Sequence, residues 1–193
     1  MKKQILIING SPQSKSGNCA YLIQQIQNKY KAYQFEVLHL KSTNSSTAQI
    51  FKKIQNNHAV LFVSGTYWDS WGSPLQKFLE DFTPFEGHPS LVGKPAGVIT
   101  LMHSVGGKSV LSRLQGVLNT LGFLIPPMGG MTYALSNQLI TRGKRAHTQH
   151  ADDFWSLDDI DVILSNLVLT SEQHDQWKAW PVDRKNFKKV WLK

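Results

Sequence analysis

The chain has 193 residues, 41% of them hydrophobic and 18% charged, which suits one compact domain with a well-buried core and describes a globular protein rather than a disordered one. Its single cysteine, Cys19, excludes an internal disulfide and a Cys-ligated metal or Fe–S centre. The net charge of +8 lies largely in Lys178, Arg184, Lys185, Lys188, Lys189 and Lys193, opposed there only by Asp183; with no helix-turn-helix, RNA-recognition or zinc-finger pattern beside it, no nucleic-acid partner is expected.

No apolar stretch approaches the roughly 18 residues needed to cross a bilayer. Lys2 and Lys3 are followed by only a short apolar run and then polar residues, unlike a signal peptide. The expected compartment is the cytoplasm, with no membrane span.

In chain order, Gln4–Ile8 reads as a first strand. It ends in Asn9-Gly10-Ser11-Pro12-Gln13-Ser14-Lys15-Ser16-Gly17-Asn18, and Cys19, Leu22, Ile23, Ile26 and Tyr30 then mark one face of a helix. A strand that stops in a Gly, Ser and Asn loop and opens a helix can hold a phosphate. Small residues let the backbone approach, and the free N–H groups of the first turn point at the anion. Ser11, Ser14 and Ser16 add donors, and Lys15 adds charge at the rim. The loop alone is equally a polar β–α turn with a Ser or Asn cap. Cys19 falls on the apolar face, as a buried structural thiol would.

Phe35 and Val37, with His39 beyond them, alternate as a second strand, and Ile50, Phe51 and Ile54 mark a second helix. Ala59–Ser64 is nearly all apolar, as in a strand covered on both faces of a parallel sheet. Leu75, Phe78, Leu79 and Phe82 give a third helix with Pro74 near its start. Pro95–Met102 reads as strand four. Val110, Leu111, Leu114, Val117, Leu118 and Leu121 form a fourth helix closed by Gly122. Phe123–Ile125 starts a fifth strand that Pro126 and Pro127 end, and Leu157, Ile160, Leu164, Leu167 and Val168 make the last helix. Five βα units without repeats predict an α/β fold: a doubly wound, five-stranded parallel sheet in three α/β/α layers, over residues 1–172.

Ligands of such folds bind beyond the carboxyl ends of the strands, which directs attention to three loops. The second, Gly65-Thr66-Tyr67-Trp68-Asp69-Ser70-Trp71-Gly72, carries three aromatics within five residues, suited to a flat ligand. The third, His103-Ser104-Val105-Gly106-Gly107, lets backbone approach a ligand at a helix start. One phosphate loop and two loops suited to a planar polar ring favour a mononucleotide with a flat headgroup, flavin mononucleotide (FMN). G-x-G-x-x-G and G-x-x-x-x-G-K-[ST] are both missing, which argues against a Rossmann dinucleotide site and a P-loop.

Three stretches, INGSPQSKSGN at 8–18, GTYWDSWGSPLQKFLED at 65–81 and HSVGG at 103–107, resemble the NAD(P)H-dependent FMN reductases and quinone oxidoreductases of flavodoxin-like fold. Pro12-Gln13 stands where many members have Arg, and Gly65 where many have Pro. The resemblance implies that Ser11, Gln13, Ser16, Gly17 and Asn18 hold the FMN phosphate. Thr66, Tyr67 and Trp68 would pack on the isoalloxazine and ribityl chain, and His103, Ser104, Gly106 and Gly107 would meet the pyrimidine end. Trp68 and Trp71 would shape the open face. No side chain need be catalytic, because FMN carries the chemistry with NADPH or NADH as donor and a small-molecule acceptor. The alternative is a flavodoxin-type electron carrier, against which the basic charge and the S-P-Q-S-K-S-G-N loop both count. Residues 173–193 read as a basic, Trp-rich extension. Its Trp177, Trp180, Phe187 and Trp191 suit a homodimer contact or packing on the chain's own domain.

Overall fold

A computed structural model of the chain describes residues 2–134, 156–172 and 177–180. Phe187, Trp191 and most of the basic residues of the extension lie outside the described residues.

The elements run β1 (Gln4–Asn9), α1 (Asn18–Lys29), β2 (Gln34–His39), α2 (Thr47–Asn56), β3 (Ala59–Gly65), α3 (Ser73–Phe82), β4 (Ala96–Met102), α4 (Gly107–Leu121), β5 (Gly130–Ala134) and α5 (Ile160–Ser171). The five strands are parallel in the order β2-β1-β3-β4-β5. This is the flavodoxin-like doubly wound order, whose reversal falls between β1 and β3.

Alternation along the strands divides the core. Leu6, Ile8, Val60 and Phe62 pack on one face with α2, α3 and α4. Ile5, Ile7, Leu61 and Val63 pack on the other with α1 and α5. Every residue of β3 is buried, which explains its nearly all-apolar sequence. Local signals set the helix limits. Ser46 and Gln49 form a reciprocal capping box at α2, and Gly122 closes α4 at a φ of 118° that few other residues would adopt.

Three expectations need correction. The run Phe123–Ile125 is not the fifth strand. Leu124 makes one parallel bridge to Pro95, Phe123 turns into the core, and Pro126 and Pro127, lacking N–H groups, interrupt the ladder. Pairing with β4 resumes over Gly130–Ala134. Val117 lies at the exposed edge of α4 rather than in its buried stripe, and Leu157 precedes α5 rather than opening it. No described helix is long and apolar enough to cross a membrane.

The described part of the extension lies against its own domain. The Trp177 indole sits where a side chain at Gly93 would fall, 2.6 Å from a Cβ built there, and Trp180 Nε1 donates to Glu86 Oε1 at 3.0 Å. Both rings remain more than half exposed, at 55% and 58%.

Candidate functional site

Beyond the carboxyl ends of β1, β3 and β4, a cleft of about 580 Å³ opens between the first two loops, α1 and the start of the third loop. That volume is in the range of small-molecule and cofactor sites, roughly 300–1,000 Å³. Its lining includes Ser11, Gln13, Asn18, Thr66, Tyr67 and His103 among the expected residues, and no Lys, Arg, Asp or Glu among the described ones.

The first loop is built around Asn9, the last residue of β1 and fully buried. Its Oδ1 accepts the Ser11 N–H at 3.0 Å, and its Nδ2 donates to the Ser14 carbonyl at 2.8 Å. The loop therefore curls back on its own strand, with Ser14 at a φ of 53°. Ser11 Oγ accepts from Gln13 N–H and bonds the Tyr67 hydroxyl, each at 3.2 Å, linking the first and second loops. The two loops also meet at backbone level. A Cβ on Gly72 would lie 2.4 Å from the Gly10 carbonyl oxygen and 2.7 Å from Pro12 Cδ, so only glycine permits this approach. The α1 N-cap, Gly17, makes no side-chain capping bond, and the orphan N–H groups of its first turn stay available to an anion.

The second loop is a tight two-residue turn. Tyr67 and Ser70 exchange backbone hydrogen bonds of 2.8 and 2.9 Å around Trp68 and Asp69, whose φ values are 49° and 56°, a type I′ geometry. Trp68 sits there at a cost of roughly 1–2 kcal/mol, whereas Asp69 is of a residue type that tolerates the left-handed region better. Arg113 of α4 holds the turn by donating to the Asp69 carbonyl, with its guanidinium 5.9 Å from the Trp71 ring centroid. Below the turn, buried Ser64 Oγ accepts the Gly72 N–H at 3.0 Å.

One buried polar atom stands out. Thr66 Oγ1, in the cleft wall, has no hydrogen-bond partner among the described residues. Buried hydroxyls are normally paired, which makes this one a candidate to bond a ligand or water in the cleft.

Several expected residues stand elsewhere. Ser16 and Gly17 line a separate depression with Lys15 and His39, outside the main cleft, and Ser16 Oγ donates to the Gln13 carbonyl at 3.0 Å. Trp68 is fully exposed, at 101%, and does not line the cleft, because the I′ turn points it outward. Trp71 packs at the edge of the core and donates Nε1 to Gln76 at 2.9 Å. Ser104 is exposed. Gly106 caps α4 at a φ of 86°, and Gly107 packs against Thr132 and Met102.

Gly65, at the start of the second loop, also lines the cleft, and Cys19, Tyr21, Leu22, Gln25, Leu101, Met102, Tyr133 and Leu157 complete the lining without having been expected there. Asn18, Tyr21, Leu22 and Gln25 follow helical spacing, a stripe beside the apolar face of α1 that the sequence carries. Tyr133 carries no such signal, since the apolar run at Phe123–Ile125 draws the fifth strand away from it. Burial pushes the Cys19 thiol up to about 11, partly offset by a hydrogen bond with Ser11, so it stays protonated and unreactive at neutral pH.

The fold has relatives among solved structures that are distant in sequence. RosB with bound 8-demethyl-8-formylriboflavin-5'-phosphate superposes with a TM-score of 0.69 at 13% identity over 88% of this chain and 79% of that one. The apo NADH:FMN oxidoreductase EMOB gives 0.62 at 17% identity, over 88% and 89%. FerB, a flavoenzyme NAD(P)H:(acceptor) oxidoreductase from Paracoccus denitrificans, gives 0.61 at 19%, over 88% and 96%. No curated protein matches the chain by sequence. A family model, however, matches residues 3–138, the whole of the segment that carries the three loops, and by that match the chain belongs to the NADPH-dependent FMN reductase family.

Proposed function

We propose that this chain is an FMN-dependent NAD(P)H oxidoreductase that reduces a small acceptor such as a quinone, flavin, nitro or azo compound. The observation that carries the reading is the cleft at the β1/β3 reversal, walled by an orphan buried Thr66 hydroxyl and bare of Lys, Arg, Asp and Glu among the described residues. A planar, polar-edged ligand with an anionic tail suits it: donors of the Ser11–Asn18 loop and the α1 N-terminus for the tail, Thr66 and Tyr67 for the body of the ligand, His103 at the outer edge. FMN supplies hydride acceptance from a nicotinamide and electron delivery to an acceptor when bound.

The protein's own work is then positioning. Ser11 and Gln13 orient the tail, the Ser11–Tyr67 bond keeps both loops at one spacing, and the Gly10–Gly72 approach holds the two loops together at backbone level. Trp68, exposed on its strained turn, is available to a nicotinamide or acceptor approaching from solvent. The half-exposed Trp177 and Trp180 of the 173–193 extension support a homodimer. Purified protein incubated with FMN and passed through gel filtration should emerge yellow and oxidise NADH or NADPH when given a quinone. A colourless protein that fails to retain FMN at micromolar concentration overturns the reading.

A further inference from the structure

The Asn9 side chain does more than close a turn. Its orientation is dictated by two partners with fixed roles: the Ser11 N–H can only donate, and the Ser14 carbonyl can only accept. The amide Nδ2 must therefore also be the donor in its 2.9 Å bond to His39 Nδ1 on the neighbouring strand. That bond exists only if Nδ1 of His39 carries no proton. β1 and β2 are in register at this pair, so the contact is part of the sheet and not a chance meeting of loops.

We propose that His39, as a neutral imidazole accepting from Asn9, is a positioning residue for the anion-binding loop, and that protonating it releases the loop and weakens binding of the ligand's phosphate. The ligand's identity rests on the FMN reading, whereas the effect on the loop rests on geometry alone. Once Nδ1 is protonated, it opposes the Asn9 Nδ2 donor. The amide cannot escape by flipping, because Nδ2 would then face the Ser11 N–H. The charged ring also competes with Asn9 for the Ser14 carbonyl, which favours the protonated form.

The surroundings hold the ring neutral. Burial lowers the His39 pKa below its ordinary value of 6.5, and the charge of Lys15 on the loop lowers it further, against the opposing pull of Ser14. β1 presents only neutral Asn9 at this position. From α1, Tyr21, Gln24 and Gln27 line the same depression. The following loop brings Ser42, whose hydroxyl accepts from Ser14 at 2.7 Å, and exposed Lys41. With the folded pKa depressed, the contribution of the neutral ring to stability is fully present above about 6.5 and is lost as the pH falls through the lower folded value.

The test uses His39→Asn, whose side-chain oxygen can accept from Asn9 as Nδ1 does but cannot titrate, and His39→Leu, which cannot accept. Hydrogen exchange of the segment 10–18, expressed as protection relative to intrinsic rates, is measured on the ligand-free protein at pH 7.5 and 5.5. Protection in the natural protein should fall about tenfold at the lower pH, stay level in His39→Asn, and be low at both values in His39→Leu. In parallel, FMN and riboflavin titrations by flavin fluorescence should show a pH-dependent loss for FMN that exceeds the loss in His39→Asn, the latter reporting the phosphate's own titration. Equal exchange profiles in the natural protein and His39→Asn overturn the proposal whether or not FMN binds. Failure of every variant to bind FMN, with the exchange pattern intact, overturns the cofactor reading instead.

Discussion

Thr66 offers a perturbation whose two consequences have opposite signs. Its hydroxyl is buried without a partner among the described residues, while its backbone N–H is secured by the Leu101 carbonyl at 2.7 Å and stays so in any side-chain variant. Thr66→Val exchanges the hydroxyl for a methyl of similar size. Burying an unpaired hydroxyl costs about 1–3 kcal/mol, so the ligand-free variant should be more stable by about 1–2 kcal/mol. For a domain of this length that raises the melting temperature by about 2–8 °C. If the hydroxyl serves the ligand, the same change removes one hydrogen bond from the complex. At about 1 kcal/mol, FMN should bind about five- to tenfold more weakly. Thermal melts of the ligand-free protein and flavin fluorescence titration measure the two effects separately. A lower melting temperature would refute the claim that the hydroxyl is unpaired, and unchanged FMN affinity would refute its role at the cleft.

Three further outcomes are expected. Gly72→Val should cost about 1–3 kcal/mol in urea unfolding and reduce flavin retention, because its Cβ would meet the Gly10 carbonyl oxygen at 2.4 Å; Gly116→Ala, in open space on α4, should instead add about 1 kcal/mol. The Cys19 thiol, pushed up to about 11 by burial, should resist an aromatic disulfide reagent at pH 8 in the native protein and react promptly in urea; prompt native reaction would contradict its burial. Deleting residues from Gln176 onward should shift the protein from dimer to monomer in sedimentation, and an unchanged dimer would leave the extension as a strap on its own domain.

Much of the fold was legible because periodicity records burial directly. The unbroken apolar run Ala59–Val63 fits an element covered on both sides, and the 3.6-residue spacing of Leu111, Leu114, Leu118 and Leu121 shows which face of α4 meets the sheet. The three loops beyond the carboxyl ends of β1, β3 and β4 were legible for a related reason. Gly, Ser and aromatic residues cluster where backbone must approach a ligand or turn sharply, and parallel topology brings those strand ends together. β5 was not legible, because Gly130–Ala134 borrows its stability from pairing with β4 rather than from its own apolar pattern.

Within the site, residue type announced which loops matter but not which side chains face the cleft. Trp68 and Tyr67 are neighbours of similar character, yet one is fully exposed and the other bonds Ser11 inside the site. That choice depends on two left-handed backbone conformations held by Arg113, 44 positions along the chain from the Asp69 carbonyl it binds. The Asn9–His39 pair depends likewise on strands brought into register across 30 positions. Local sequence encodes the burial that each segment needs for itself. The direction of a loop side chain is decided by contacts between segments that meet only once the sheet has formed.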